Sequence, residues 1–231
     1  MRSPRLWEKS HRCCDSLCPV AAQIVAWQKA NRKMGWKISE REFEAISSPP
    51  QLADTDIRDG FKGVILSYGF GEDGQGNADA VMSGKLAWDF AAKGRRQRIW
   101  QCEYVDFDQP DHFRLRPEAP PRPQGFYFAK FRFGEYFPST TVSKFRRQLK
   151  GDTGCGPEGI QFLTITHRHC ADLMNERKIL FMALADYDVA PHGFNDFFDA
   201  LQMFCSLETL GLGIGNVDRH YPLFGIPTLR F

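Results

Sequence analysis

The sequence predicts an α/β or α+β fold: a single mixed β-sheet domain with flanking helices and a basic N-terminal tail. Two observations support this prediction. The chain has 231 residues, of which 42% are hydrophobic, and a chain of this size buries roughly 70% of its unfolded surface without disulfide staples. Segments with strand patterns alternate with segments of helical period. The seven cysteines lack framework spacing, so we expect reduced thiols and a cytoplasmic location.

The first elements are two helices that follow a tail at residues 1–18, which we expect to be flexible. Apolar residues recur at helical spacing from Val20, and Gly35 stops the pattern. Ser39 and Glu42 have the spacing of a capping box, in which each side chain satisfies a backbone donor of the other residue. A second, shorter helix is therefore predicted after Ser39.

Three further elements are predicted before residue 109. Residues 61–68 are rich in β-branched and aromatic side chains and predict a strand. Residues 79–92 have a helical pattern, and residues 98–108 alternate in the manner of a strand.

Residues 109–124 are the predicted connector, because they contain five prolines and such a composition favours an extended chain. They separate an N-terminal part, 19–108, from a C-terminal part, 125–231. We expect these two parts to pack together as one domain.

The C-terminal part opens with a strand at 125–133 that is apolar on both faces, so we expect it to be central in its sheet. A helix at 139–150 has a hydroxyl cap at its start and Gly151 at its end. The remaining predicted elements are a strand at 160–166, a helix at 170–177, a strand at 179–185, a helix at 194–205 and short strands within 210–231.

The charges are unevenly distributed, although the net charge is only +2. The segment 179–218 contains acidic residues and neither Lys nor Arg, whereas 130–150 is basic. These two segments either neutralise each other in the fold or attract cations and phosphates respectively.

The acidic segment contains a candidate cation site. Asp186 and Asp188 are two residues apart at the end of an apolar strand, where paired carboxylates can bind Mg²⁺ or Mn²⁺. His192 and Asp196 are then the candidate catalytic residues of a metal-assisted hydrolase or transferase, and Asn195 is a candidate ligand-binding residue. The alternative is that these aspartates cap turns and helix ends.

A second candidate metal site consists of His167 and His169 with thiols of the N-terminal segment, since imidazole and thiolate suit Zn²⁺. The alternative is a tail with incidental cysteines. Cys155 lies between glycines, where a backbone nest could bind an anion and lower the thiol pKa; the alternative is a simple turn. Asp218 and His220 are further candidate ligand-binding residues.

Basic and aromatic residues interleave in three places, which is the pattern that single-stranded nucleic acid requires. These are residues 130–137, the predicted helix with Lys144, Arg146 and Arg147, and a cluster that contains Arg98 and Trp100. The isoelectric point near 8.2 is below that of a dedicated nucleic-acid-binding protein. A solvated helix face explains the same residues, so a nucleic-acid partner is not favoured.

The function predicted first is a ligand-binding, partner-binding or regulatory module for a small molecule or a protein. A metal-assisted hydrolase or transferase and a nucleic-acid-associated factor are the alternatives. The longest apolar runs are far shorter than the roughly 18 residues of a membrane span, so no membrane association is expected.

Overall fold

The computed structural model describes residues 17–70, 77–94, 98–109, 112–133, 140–149, 151–170, 181–190, 197, 199–206, 209–219 and 224–231. Helices flank two sheets of antiparallel and mixed strands, so the α+β alternative is confirmed. The strands form two sheets and not the single sheet that the sequence predicted.

Most helices lie in the N-terminal half. They are α1 (Val20–Met34), α2 (Glu40–Glu44), α3 (Asp54–Arg58), α4 (Asn77–Gly94), α5 (Val142–Gln148) and α6 (Pro157–Gln161), which continues as a π-helical segment (Phe162–Thr166). Local signals explain their ends. Gly35 adopts a left-handed conformation after α1, the predicted capping box of Ser39 and Glu42 is present, and the Thr141 hydroxyl caps α5.

The strands are β1 (Gly63–Gly69), β2 (Arg98–Gln101), β3 (Phe113–Leu115), β4 (Gly125–Arg132), β5 (Thr153–Gly154), β6 (Phe181–Val189), β7 (Asp199–Ser206), β8 (Thr209–Asn216), β9 (Phe224–Gly225) and β10 (Thr228–Arg230). The four-stranded sheet has the order β1-β4-β10-β5, so the predicted central position of β4 is confirmed. The six-stranded sheet has the order β2-β8-β7-β6-β3, with β9 paired to β6.

The outer edge of β1 is closed by glutamine side chains. Gln161 accepts a hydrogen bond from the backbone N–H of Tyr68 and donates one to its carbonyl, at 3.1 and 2.7 Å. Gln23 accepts a hydrogen bond from the backbone N–H of Leu66 and donates one to the carbonyl of Val64. Because a bare edge would leave buried backbone groups without partners, these amides take the place of a neighbouring strand.

Both sheets combine strands from the two sides of the connector, and the six-stranded sheet also includes β3 from within it. In the four-stranded sheet β1 pairs with β4, and in the six-stranded sheet β2 pairs with β8 and β3 pairs with β6. β10 lies between β4 and β5, and Arg230 holds it through Asp56 and Asp152 at 2.7 Å each.

The two faces of the six-stranded sheet have different environments. Leu201, Met203 and Leu212 belong to the main hydrophobic core. On the opposite face, Ala183 and Ala200 belong to a smaller cluster with Val142 and Phe145 of α5. Helix α5 therefore covers part of the outer face.

Two predicted elements have the other secondary structure. The run at 160–166, predicted as a strand, is the end of α6 and the π-helical segment. Every residue from 157 to 166 is buried, so this helix shows no amphipathic period that would distinguish it from a buried strand. The predicted helix at 194–205 is strand β7 over its described part, because pairing with β6 and β8 on both sides fixes it.

Other boundaries also differ from the predictions. The strand predicted at 98–108 ends at Gln101, and turns follow it. The predicted connector contains β3 and the buried Arg122, and helix α3 was not predicted. The predicted helix at 170–177 lies outside the described residues except for Cys170.

Two further findings bear on the sequence-based expectations. Among the described helices, none is both long and apolar enough to cross a bilayer. In the part of the chain that the structure describes, Cys102 and Cys155 are free thiols.

Candidate functional site

Asp186, a predicted metal ligand, lies in a buried ionic network. Its carboxylate accepts hydrogen bonds from Arg122 Nη2 at 2.8 Å, from Gly154 N–H at 3.0 Å and from the Thr153 hydroxyl. The same guanidinium donates through Nε to Glu158. Asp186 and Glu158 are fully buried. The carboxylate of Asp186 is thus surrounded by hydrogen-bond donors.

Glu158 joins further groups to this network. It accepts from the Tyr127 hydroxyl and from Gly156 N–H, both at 2.9 Å. Burial alone would lower the pKa of Arg122, but the charges of Glu158 and Asp186 outweigh it and raise this pKa. Burial and Glu158 also raise the pKa of Tyr127. At neutral pH the Arg122 guanidinium therefore stays charged and the Tyr127 hydroxyl stays protonated.

Asp188 pairs with arginines as well. Arg146 Nη1 lies 2.7 Å from Asp188 Oδ1, and Arg114 Nε lies 3.4 Å from Oδ2. Arg146 also donates from Nε to the Ala185 carbonyl at 2.7 Å. The neutralisation expected between the basic and acidic segments therefore occurs at this pair. It uses Arg146, a predicted nucleic-acid contact, whereas Lys144 and Arg147 are exposed on α5.

The location of the two aspartates bears on the alternative of a capped turn. They lie within β6 and not in a turn, so the capped-turn alternative is wrong for Asp186 and Asp188. Among the described residues, no group of three or more His, Cys, Asp or Glu side chains is arranged to hold a metal ion. Four further residues with predicted roles lie outside the described part of the chain: His192, Asn195, Asp196 and His220.

Cys155 is fully buried beside the ionic network. Burial, with the nearby charges of Glu158 and Asp186, raises the pKa of its thiol well above the ordinary value. An anion nest that activates a nucleophile requires the opposite shift. The environment of Cys155, just before α6, therefore fits a simple turn better than an anion-binding nest.

His167 and His169 lie at the end of the π-helical segment and meet Cys18. Nε2 of His167 accepts a hydrogen bond from the Cys18 backbone N–H at 3.0 Å, and its ring stacks on Phe162 at 4.3 Å between centroids. Burial, with the nearby His169, lowers the pKa of His167 to about 3. His169 Nε2 lies 4.0 Å from Cys18 Sγ. The sequence thus anticipated this meeting of the two segments, but His167 serves as a neutral acceptor.

Asp218 supports the start of α5. Its carboxylate accepts from the Ser143 hydroxyl, and its backbone N–H donates to Asn216 Oδ1 at 2.9 Å. These contacts connect the end of β8 to α5, so they account for Asp218 without a ligand.

An exposed aromatic surface lies at the β2 edge of the six-stranded sheet. We call it the Trp100 surface; it is an open concavity of about 420 Å³ lined by Arg98, Ile99, Trp100, Phe204 and Thr209. The Trp100 side chain is 48% exposed. Its ring centroid lies 5.3 Å from that of Phe204, with a tilt of 53°.

Glycines of β8 form the floor of the Trp100 surface. Gly211 pairs with both Trp100 and Phe204, so the three residues share one face. A Cβ at Gly211 would overlap the Phe204 ring, and a Cβ at Gly213 would lie 3.7 Å from Trp100 Cζ3. The glycines at 211 and 213 thus allow both rings to lie close to the sheet.

Comparisons with protein-family models, with curated proteins and with solved structures gave no match to this chain. We therefore infer its function from the geometry of the described residues.

The sequence contained part of the signal for the Trp100 surface. Arg98 and Trp100 were recognised as a basic and aromatic cluster. Phe204 was missed because 194–205 was predicted to be a helix, and Thr209 was missed because it precedes the strands predicted within 210–231. Glycine at every second position from 211 to 215 is the signal that could have located this face. Arg122 was missed because it lies within the proline-rich connector.

Proposed function

We propose that this protein is a binding module and that its ligand places a planar ring against Trp100. One observation carries the proposal: a tryptophan that is 48% exposed lies beside Phe204 on a floor of glycines. A large aromatic ring that is exposed on a sheet face leaves apolar surface in contact with water. A planar ligand that stacks on the ring would cover that surface.

The Trp100 ring is suited to stacking because the sheet already positions it. The backbone of β2 is held by its pairing with β8, and the indole packs near Phe204 and Gly213. Little side-chain freedom remains to be lost on binding, and this preorganisation favours affinity. Stacking of a nucleobase on an aromatic side chain contributes about 1–3 kcal/mol.

The lining of this surface favours binding over catalysis. Of its lining residues, only Arg98 is ionisable, and an arginine is not a general base at neutral pH. The hydrolase alternative requires a cation at Asp186 and Asp188, but Asp186 accepts hydrogen bonds from Arg122 and Thr153, and Asp188 forms an ion pair with Arg146. A binding module is therefore the stronger candidate.

The indole N–H signals of the tryptophans in a ¹⁵N-labelled sample provide the test. The probes are neutral planar compounds, adenosine and uridine, with glucose as a non-planar control. We expect the Trp100 signal, assigned from Trp100→Phe, to shift with adenosine. The signals of the buried Trp27 and Trp88 are expected to stay unchanged.

A matched variant separates stacking from general surface contact. Tyr104 is 43% exposed and lies outside the Trp100 surface, so Tyr104→Ala should leave the adenosine response unchanged. Trp100→Ala should abolish saturable binding of adenosine, measured by calorimetry. Failure of both planar probes to move the Trp100 signal, or equal binding by Trp100→Ala, would contradict the proposed function.

A further inference from the structure

The face that carries Trp100 also carries helix α5. Phe204, Gln202 and Ala200 alternate along β7, so they point to the same side of the sheet as Trp100. Ala200 packs with Val142 and Phe145 of α5. The aromatic surface and the basic helix, which are distant in sequence, therefore lie on one side of the six-stranded sheet.

Exposed cations occur at both ends of this face. Arg98 is exposed beside Trp100, and Lys144 and Arg147 are exposed on α5. The start of α5 is fixed at the end of β8 because Ser143 N–H donates to the Val217 carbonyl at 3.0 Å. From Gly211 to Val217 a strand covers roughly 20 Å. The cations are thus spread along a path and not gathered at one point.

A buried donor lies between the two ends. Gln202, which pairs with Gly213, is 4% exposed, and its Nε2 has no hydrogen-bond partner among the described residues. An unsatisfied buried amide donor is costly. A polar ligand that reached this position would supply the missing acceptor.

We propose that the ligand of this face is a single-stranded nucleic acid, with one base stacked on Trp100 and phosphates near Arg98, Lys144 and Arg147. This inference rests on the proposed function, because it takes Trp100 as the stacking residue. A sheet with exposed aromatic rings and peripheral cations suits unpaired bases linked by phosphates. In a duplex the bases are stacked on each other, and Trp100 would have no base to contact.

Fluorescence anisotropy with labelled oligonucleotides tests this inference. The probes are dT12, rU12 and a 12-base-pair DNA duplex, and the salt concentration is varied. We expect both single strands to bind more tightly than the duplex, and the preference between dT12 and rU12 identifies the natural source. Trp100→Ala should weaken binding of single strands on the order of 10-fold.

The charges are tested separately. The double variant Lys144→Ala with Arg147→Ala should reduce the slope of log affinity against log salt by about 1.4, because each lost phosphate contact accounts for about 0.7. The control is Arg41→Ala with Arg58→Ala, which removes two exposed cations from α2 and α3 and should leave the slope unchanged. Circular dichroism confirms that each variant is folded.

Three results would overturn the inference. One is equal affinity for duplex and single strands. Another is oligonucleotide binding that Trp100→Ala leaves intact, which would point to a general polyanion or acidic-peptide surface. The third is a Trp100 response to adenosine without any tighter binding of dT12 or rU12; this would leave the proposed function standing with a small planar ligand.

Discussion

Arg122 Nη2 lies 2.8 Å from Asp186 Oδ2, and this contact joins the proline-rich connector to strand β6 inside the protein. The side chain of Arg122 is 5% exposed and that of Asp186 is fully buried. Because the same guanidinium also pairs with Glu158, one residue compensates two buried carboxylates.

Removal of one member of this network should destabilise the fold strongly. We expect Glu158→Gln to lower the free energy of unfolding by about 1–3 kcal/mol, because a neutral amide replaces the carboxylate that accepts from Arg122 and Tyr127, while Arg122 keeps Asp186 as a partner. Arg122→Met should cost more, about 3–5 kcal/mol, because it leaves the buried Glu158 without a cation and leaves Asp186 with Arg116 at 3.5 Å. Urea denaturation followed by tryptophan fluorescence measures both changes.

The control for these variants is Arg114→Gln. Arg114 pairs with Asp188 at 3.4 Å, but its side chain is 45% exposed, and such pairs contribute about 1 kcal/mol or less. Asp188 keeps Arg146 as a partner. A loss below about 1 kcal/mol for Glu158→Gln would show that the network does not stabilise the fold as argued.

The stability of the protein should fall as the pH decreases below about 6.5. His167 has a folded-state pKa of about 3 because of burial and the nearby His169, whereas an unfolded histidine titrates near 6.5. Between these values the unfolded state binds a proton that the folded state does not, so stability increases with pH in this window. We expect a change on the order of a few kcal/mol.

His167→Gln, which retains an acceptor for Cys18 N–H, should flatten this dependence between pH 4 and 6.5. Loss of stability at lower pH should remain, since Asp56 has a pKa lowered to about 2, chiefly by the Lys130 hydrogen bond. The contribution of Asp56 is present above about pH 3.8 and is lost toward pH 2. An unchanged slope between pH 4 and 6.5 in the variant would contradict the assignment to His167.

Two glycines of β8 should respond differently to the same substitution. A Cβ at Gly211 would overlap the Phe204 ring, whereas a Cβ at Gly213 would be 3.7 Å from Trp100, an ordinary contact. We therefore expect Gly211→Ala to cost about 1–3 kcal/mol and Gly213→Ala to change stability by less than about 0.5 kcal/mol. Thermal unfolding of the two variants tests this; equal effects would mean that Phe204 does not lie on Gly211.

Divalent cations should not stabilise the protein through Asp186 and Asp188. A cation at this position would have to compete with Arg122 and Arg146 for the carboxylate oxygens. We expect the melting temperature to change by less than about 1 °C at millimolar Mn²⁺, since a ligand that does not bind gives no stabilisation. A rise of several degrees that disappears in Asp188→Asn would establish the cation site.

The parts of the fold that the sequence predicted well depend on local signals. Helix α1 ends at Gly35, whose backbone caps it, and helices α2 and α5 begin after Ser39 and Thr141, whose side chains cap them. Such capping involves neighbours within four positions along the chain, so it can be read without knowledge of the tertiary structure.

The misassigned parts depend on distant partners. β7 is a strand because β6 and β8 pair with it on both sides, and α6 packs against α4 and β1, which are distant from it in sequence. Arg122 meets Glu158 and Asp186 across 36 and 64 positions of sequence. Within the Trp100 surface, Arg98 and Trp100 are close to each other in sequence and could be recognised as a cluster. Phe204 and Thr209 join them only through the pairing of β2, β8 and β7.

The location of β10 between β4 and β5 has a consequence for biosynthesis. The four-stranded sheet cannot be completed until residues 228–230 have left the ribosome, although β1 and β4 emerge more than ninety residues earlier. During that interval the β4 edge is uncovered, and uncovered strand edges are prone to aggregation during folding. Cotranslational yield should therefore depend on how quickly the last strand arrives, and a slow codon or a stalled ribosome shortly before residue 228 should lower it.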